Sequence, residues 1–269
     1  MIALAPRAAC TLPAKIQELQ TTVSASRLNC FHSCRLKFYY RYVAELKKPA
    51  TRALHVGKTV HAVLQEWNKA RWRQETPTEE SFKAAFDTAW AAEQSEAQVD
   101  WKGEEDKQKG LAWAVLLTYF ANTTVPPTEK PQGVEVGLEA KLEGLPTLVG
   151  IIDLVRPGGI VVDFKTTSVT PDPERALHQN MLQLTCYGLL YRHSTGEEEQ
   201  GFELHHLVKT KIPKLVVTKA SAITAEQEQQ LYRVIESYVE GVEREDFVPS
   251  AGMQCLSCEY FNECRLQRR

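Results

Sequence analysis

The residues best suited to chemistry are Asp153, Asp163 and Lys165, carried in Gly150-Ile151-Ile152-Asp153 and Asp163-Phe164-Lys165. Between them, Pro157-Gly158-Gly159 predicts a three-residue hairpin loop. That register pairs Arg156 with Ile160, and counting back sets Asp153 opposite Asp163. Two like charges facing each other across a ladder repel. Their neighbours Ile151, Ile152, Leu154, Val161, Val162 and Phe164 are apolar, so partial burial is expected, and it is costly without compensation. A divalent cation between the carboxylates removes that cost. Lys165, two residues past Asp163, falls on the same face. A metal, two carboxylates and a lysine suit phosphodiester hydrolysis. The metal polarises a phosphoryl oxygen and activates water, and the lysine positions that water or meets the developing negative charge. Oxygen ligands suit Mg²⁺ or Mn²⁺. A two-residue loop would instead send the aspartates to different faces. Asp-x-Lys also arises at solvated strand ends, where the lysine simply pairs with an aspartate.

Other residues can join this group. His61, in Gly57-Lys58-Thr59-Val60-His61, stands near the start of an amphipathic helix and can add a nitrogen ligand. Gln183 and Tyr187 are one helical turn apart, on a helix that follows the hairpin directly and can pack across it. A second constellation is Cys255-x2-Cys258-x5-Cys264, with Cys34 as a remote fourth thiolate. Four thiolates fit an iron–sulfur cluster or a structural zinc. A distant single cysteine plus a trio is less typical of zinc, which favours two close pairs. Cys30, one turn before Cys34, is the rival fourth ligand, and Cys10 and Cys186 have no evident role.

The elements that must position these residues follow from the pattern along the chain. Residues 1–20 read as a loose tail. Ser24 to Ser26 precede a helical run reaching Tyr42. Helices are predicted near 55–72, 79–93 and 104–121, with a break at Val125-Pro126-Pro127. Strands follow at 134–141, 148–156 and 160–166, then a helix over 174–191, strands at 202–209 and 215–220, and a helix from Thr224 to Val242. This predicts an α/β fold: a mixed central sheet over 133–220 flanked by helices, with a helical insert over 49–125 and a cysteine-bearing tail over 250–269. The pattern predicts a single domain over 21–269.

Composition sets the bounds. Of 269 residues 43% are hydrophobic and 25% charged, ordinary for a globular protein, and no apolar run is long enough to span a membrane. The start does not read as a signal peptide, so a cytoplasmic location is expected, where seven cysteines are more readily free or metal-bound than disulfide-paired. The net charge of -2 gives no global argument for nucleic acid, but eight basic residues against one acidic lie between Arg27 and Lys58. Phe31, Phe38, Tyr39, Tyr40 and Tyr42 interleave with them. That stretch is either a solvated helix face or a surface for phosphates and stacked bases.

Taken in order, these motifs resemble the PD-(D/E)XK nuclease superfamily, and within it the RecB-like branch with an iron–sulfur staple, which includes the AddB nuclease domain and the CRISPR-associated adaptation nucleases. The resemblance runs from about Ser24 to Cys264. It implies a restriction-endonuclease-like core and metal-dependent cleavage of DNA, single strands or ends, with a separate helicase or other DNA-processing protein as a possible partner, since no phosphate loop is present. It implies His61, Asp153, Asp163 and the Phe164 carbonyl as ligands of Mg²⁺ or Mn²⁺, Lys165 as the catalytic lysine, and Gln183 and Tyr187 near the substrate. It also implies a 4Fe–4S cluster on Cys34, Cys255, Cys258 and Cys264. Arg35 stands where the family usually has proline. The competing expectation is a silent nuclease-like module that grips DNA or a partner without cutting.

Overall fold

The computed structural model describes residues 12–76, 78–96 and 99–267; Cys10 lies outside them. The elements are α1 (Leu12–Thr21), β1 (Thr22–Val23), α2 (Ala25–Ser33), α3 (Arg35–Phe38), α4 (Arg52–Trp72), α5 (Glu79–Glu96), α6 (Glu105–Asn122), β2 (Gly133–Ala140), β3 (Thr147–Arg156), β4 (Ile160–Thr167), α7 (Pro173–Thr195), β5 (Gly201–Val208), β6 (Lys214–Ala220), α8 (Ala225–Glu243) and α9 (Phe261–Gln267). Among the described residues no helix is long and apolar enough to cross a membrane.

Where the sequence pattern suggests one domain, the contacts gather the chain into two compact units, neither of them continuous in sequence. One holds the described residues of Met1–Lys48, Glu139–Gly150 and Thr224–Arg269. The other holds Pro49–Leu138 and Ile151–Ile223.

The second unit carries the mixed sheet predicted from sequence. β2 pairs with β3, and β3 turns back antiparallel into β4. The pairs Arg156↔Ile160, Val155↔Val161 and Leu154↔Val162 are those of a three-residue loop, and Gly158 and Gly159 take the positive φ values (80° and 77°) that the loop requires. A parallel neighbour needs a crossover. Here α7 provides it, starting at Asp172, whose side chain accepts from Arg175 N, and ending at Gly196 with φ 75°. β5 then runs parallel to β4 over its whole length, and β6 returns antiparallel to β5. The helices expected as an insert are part of this unit's core. Val56, Val60, Leu64, Trp67, Leu116 and Tyr119 of α4 and α6 pack with Leu154, Val162, Phe164 and Leu207 of the sheet.

The first unit corrects two expectations. Residues 12–20 are not a loose tail but most of α1: Ile16 and Leu19 form an apolar stripe that is buried, and Tyr238 of α8 donates to the Leu19 carbonyl at 2.8 Å. The run to Tyr42 is not one helix. Ser24 caps α2 as expected, but Cys34 is extended (φ -164°, ψ 109°), and Leu36 N bonds to Val248 O at 3.1 Å instead of continuing the helix. After α3 the chain widens into a π-helical turn over Tyr39–Val43. The two-residue β1, missed in the sequence, pairs in parallel with the start of β3.

Candidate active site

The hairpin register holds as predicted through Leu154↔Val162. Beyond Leu154↔Val162 the next residues on the two strands are Asp153 and Asp163. Asp153 uses its side chain there, with Oδ2 accepting from Phe164 N at 2.8 Å. The Phe164 ring is 2% exposed and meets Tyr119, His205 and His61 edge-on, which fixes the backbone that carries Asp163 and Lys165. Asp163 is itself 2% exposed. Its Oδ2 lies 2.8 Å from Lys165 Nζ, and its Oδ1 accepts from Gln183 Nε2 at 3.0 Å. Gln183 also accepts from Lys165 Nζ through Oε1 at 2.7 Å and donates to the Tyr187 hydroxyl at 2.8 Å. The helix-turn spacing of Gln183 and Tyr187 thus places both on the face of α7 that covers β4.

His61 arrives from α4. A Cβ on Gly57, one turn earlier, would meet Thr166 Oγ1 at 3.3 Å, so the glycine lets α4 approach the end of β4 closely. His61 Nδ1 then stands 3.6 Å from Asp153 Oδ2.

A further carboxylate completes the group, and the sequence did not reveal it. Ligand atoms of His61, Glu135 and Asp153 all lie within 4.8 Å of one another. Glu135 lies on β2 between two valines, where alternation reads it as solvent-facing. Its backbone breaks that alternation with φ 49°, and the residue is only partly exposed. His206 is also on this face and was equally unanticipated. It is the register partner of Lys165 on β5 and is buried.

The electrostatics of the group are lopsided. Burial pushes Asp163 up to about 6; Lys165 pulls it down, and the Asp153 charge adds to the rise. Burial also raises Asp153 and Glu135, against the pull of His61 on both. The three carboxylates have Lys165, His61 and, acting on Glu135, Lys69 set against them, and each still resists ionisation. The donor set, carboxylate oxygens and one imidazole, fits a hard divalent cation, which would supply the missing positive charge.

In the first unit, Cys34, Cys255, Cys258 and Cys264 line one cavity together with Leu36, Lys37, Tyr40 and Tyr260. The break of the helix at Cys34 is what sets that residue at the cavity. Cys30 is buried in α2, and burial raises its thiol pKa. Lys37 pairs with Glu259 at 3.0 Å, and Lys48 pairs with Glu263. Part of the basic run between Arg27 and Lys58 is thus tied to the cysteine-bearing tail. Cys186 is buried in α7 without a role in either group.

Comparison with known proteins accords with this geometry. The family model of the PD-(D/E)XK nuclease superfamily matches residues 22–265, and the chain belongs to that superfamily. A comparison with curated proteins gives no match. Among solved structures, the chain is similar to that of a candidate exonuclease from Eubacterium rectale, at 16% identity and a TM-score of 0.65, covering 100% of this chain and 95% of that one. A second, SSO0001, is similar at 15% identity over 97% of this chain and 96% of that one, with a TM-score of 0.42. The first supports the fold; the second is too distant to carry weight.

Proposed function

We propose that this chain hydrolyses phosphodiester bonds of DNA in a reaction that depends on Mg²⁺ or Mn²⁺, acting as an exonuclease on single strands or ends. One observation carries the reading: Glu135, Asp153 and Asp163 are gathered around Lys165 and His61, with Lys69 already paired to Glu66, a deficit that a divalent cation offsets. His61, Asp153, Asp163 and the Phe164 carbonyl are the proposed ligands. When bound, the cation supplies Lewis acidity, polarising the phosphoryl oxygen and making water more nucleophilic. Lys165, held between Asp163 and Gln183, donates to the non-bridging oxygen on which charge develops, an interaction strongest in the transition state. Gln183 fixes the lysine and the carboxylate together, and Tyr187 fixes Gln183.

The RecB-like branch is the proposed family branch, and a 4Fe–4S cluster on Cys34, Cys255, Cys258 and Cys264 the proposed staple, with DNA repair or a related DNA-processing pathway as the setting. The shared cavity of these four cysteines supports this reading, and it favours Cys34 over Cys30. Iron and acid-labile sulfide in anaerobically purified protein test it; zinc alone would overturn it. Activity is tested by incubating linear and closed circular single-stranded DNA with Mn²⁺, Mg²⁺ or a chelator. Metal-dependent loss of the linear strand alone is expected. Equal loss of the circle would sink the exonuclease assignment, and binding without products in either metal would favour a silent module.

A further inference from the structure

We infer that Glu135 is a direct ligand of the divalent cation, sharing it with His61 and Asp153. This rests on the metal-dependent reading above and adds a residue outside its motif-derived ligand set. Donor atoms of these three residues lie within 4.8 Å of one another. Asp163 differs, because its two oxygens are engaged by Lys165 and by Gln183. The side chains grouped around His61 are therefore Asp153 and Glu135, and Glu135 joins Asp163 in the ligand set rather than replacing it.

Glu135 has φ 49°, a left-handed conformation that glycine takes freely and glutamate rarely adopts. It occurs inside a strand, where an extended residue would keep the alternation. Such strain persists when the surroundings require it and clusters at ligand clamps. Here it keeps a partly buried carboxylate beside His61. A rival explanation is that Glu135 merely pairs with a surface cation. The positive groups acting on it are His61 and Lys69, and Lys69 is already salt-bridged to Glu66 at 3.0 Å. An acid placed beside Asp153, with a histidine and a lysine already paired elsewhere, is better explained by a shared ion than by an ion pair.

The test is Mn²⁺ binding without DNA, read from the EPR signal of free Mn²⁺, for wild type, Glu135→Gln, Glu135→Gly and Asp153→Asn. Glycine takes φ 49° without strain, so Glu135→Gly removes the carboxylate with the backbone intact; circular dichroism melts confirm folding. About tenfold or greater loss of affinity in both Glu135 variants is expected, with Asp153→Asn at least as weak. Wild-type affinity in both Glu135 variants, with loss in Asp153→Asn, would overturn this assignment and leave the metal site standing. No Mn²⁺ bound by wild type would overturn both.

Discussion

Asp163 and Glu203 lie on adjacent strands of one sheet, and each is 2% exposed. Asp163 pairs in register with Leu204, and Glu203 with Val162, so the two acids point to opposite faces. Burial alone would raise both. Asp163 does go up, to about 6: burial outweighs the pull of Lys165, and the Asp153 charge adds to the rise. Glu203 goes down to about 2: its burial is outweighed by His205, Lys219 and Arg156, which lie within 3.0–3.1 Å of its oxygens. Arg156 in turn holds Glu129 with two bonds of 2.9 Å. Glu203 is thus neutralised by its own neighbours, while the cluster around Asp163 is left short of positive charge. A buried acid with enough partners is structural; a cluster of acids without them is a place for an ion.

Breaking either face should have a different signature. Lys165→Ala should lower metal-dependent cleavage by about 100-fold or more in protein that still folds, because the lost contact matters most in the transition state. Single-turnover rates on end-labelled single-stranded DNA, beside denaturant melts, check this. Arg156→Ala should cost about 3–5 kcal/mol of stability, since Glu129 and Glu203 lose their buried partner. Urea unfolding reads that loss, and a cost below about 1 kcal/mol would contradict the neutralised-face account.

The pH dependence should have opposite signs on the two faces. Glu203 titrates at about 2 when folded against 4.5 when free, so it stabilises above pH 4.5 and that contribution is lost as pH falls toward 2. Asp163 is raised from 3.8 to about 6, so it favours the folded state below 3.8 and that contribution is lost as pH rises through 6. Asp163→Asn should therefore stabilise the metal-free protein at pH 7 by on the order of 1–3 kcal/mol, a gain that fades toward pH 4. Melting temperatures across that range test the sign, and destabilisation at pH 7 would reverse the argument. The smallest effect is expected from Tyr187→Phe, which removes one bond to Gln183 and should cost about 1 kcal/mol.

How much of this the sequence disclosed follows from what each signal depends on. The hairpin register was legible because Pro157-Gly158-Gly159 fixes the loop length, and loop length fixes which residues face each other. Gln183 and Tyr187 were legible because helical spacing alone decides their shared face. Glu135 was not, because its position depends on one non-glycine residue taking a positive φ, and no residue pattern announces that. The break at Cys34 was hidden for a similar reason: the run from Ala25 to Tyr42 has no proline or glycine, and the helix yields to a distant partner, the Val248 carbonyl. α1 was missed because its stripe is short, and its burial depends on α8, which lies at the other end of the sequence.

The central claim is that the under-neutralised face is where phosphodiester cleavage occurs. Its most direct test is cleavage of end-labelled single-stranded DNA in Mn²⁺ by wild type, Asp163→Ala and Glu203→Gln, each confirmed as folded. The account predicts cleavage by wild type and by Glu203→Gln, and none by Asp163→Ala. Cleavage by Asp163→Ala at the wild-type rate would contradict it.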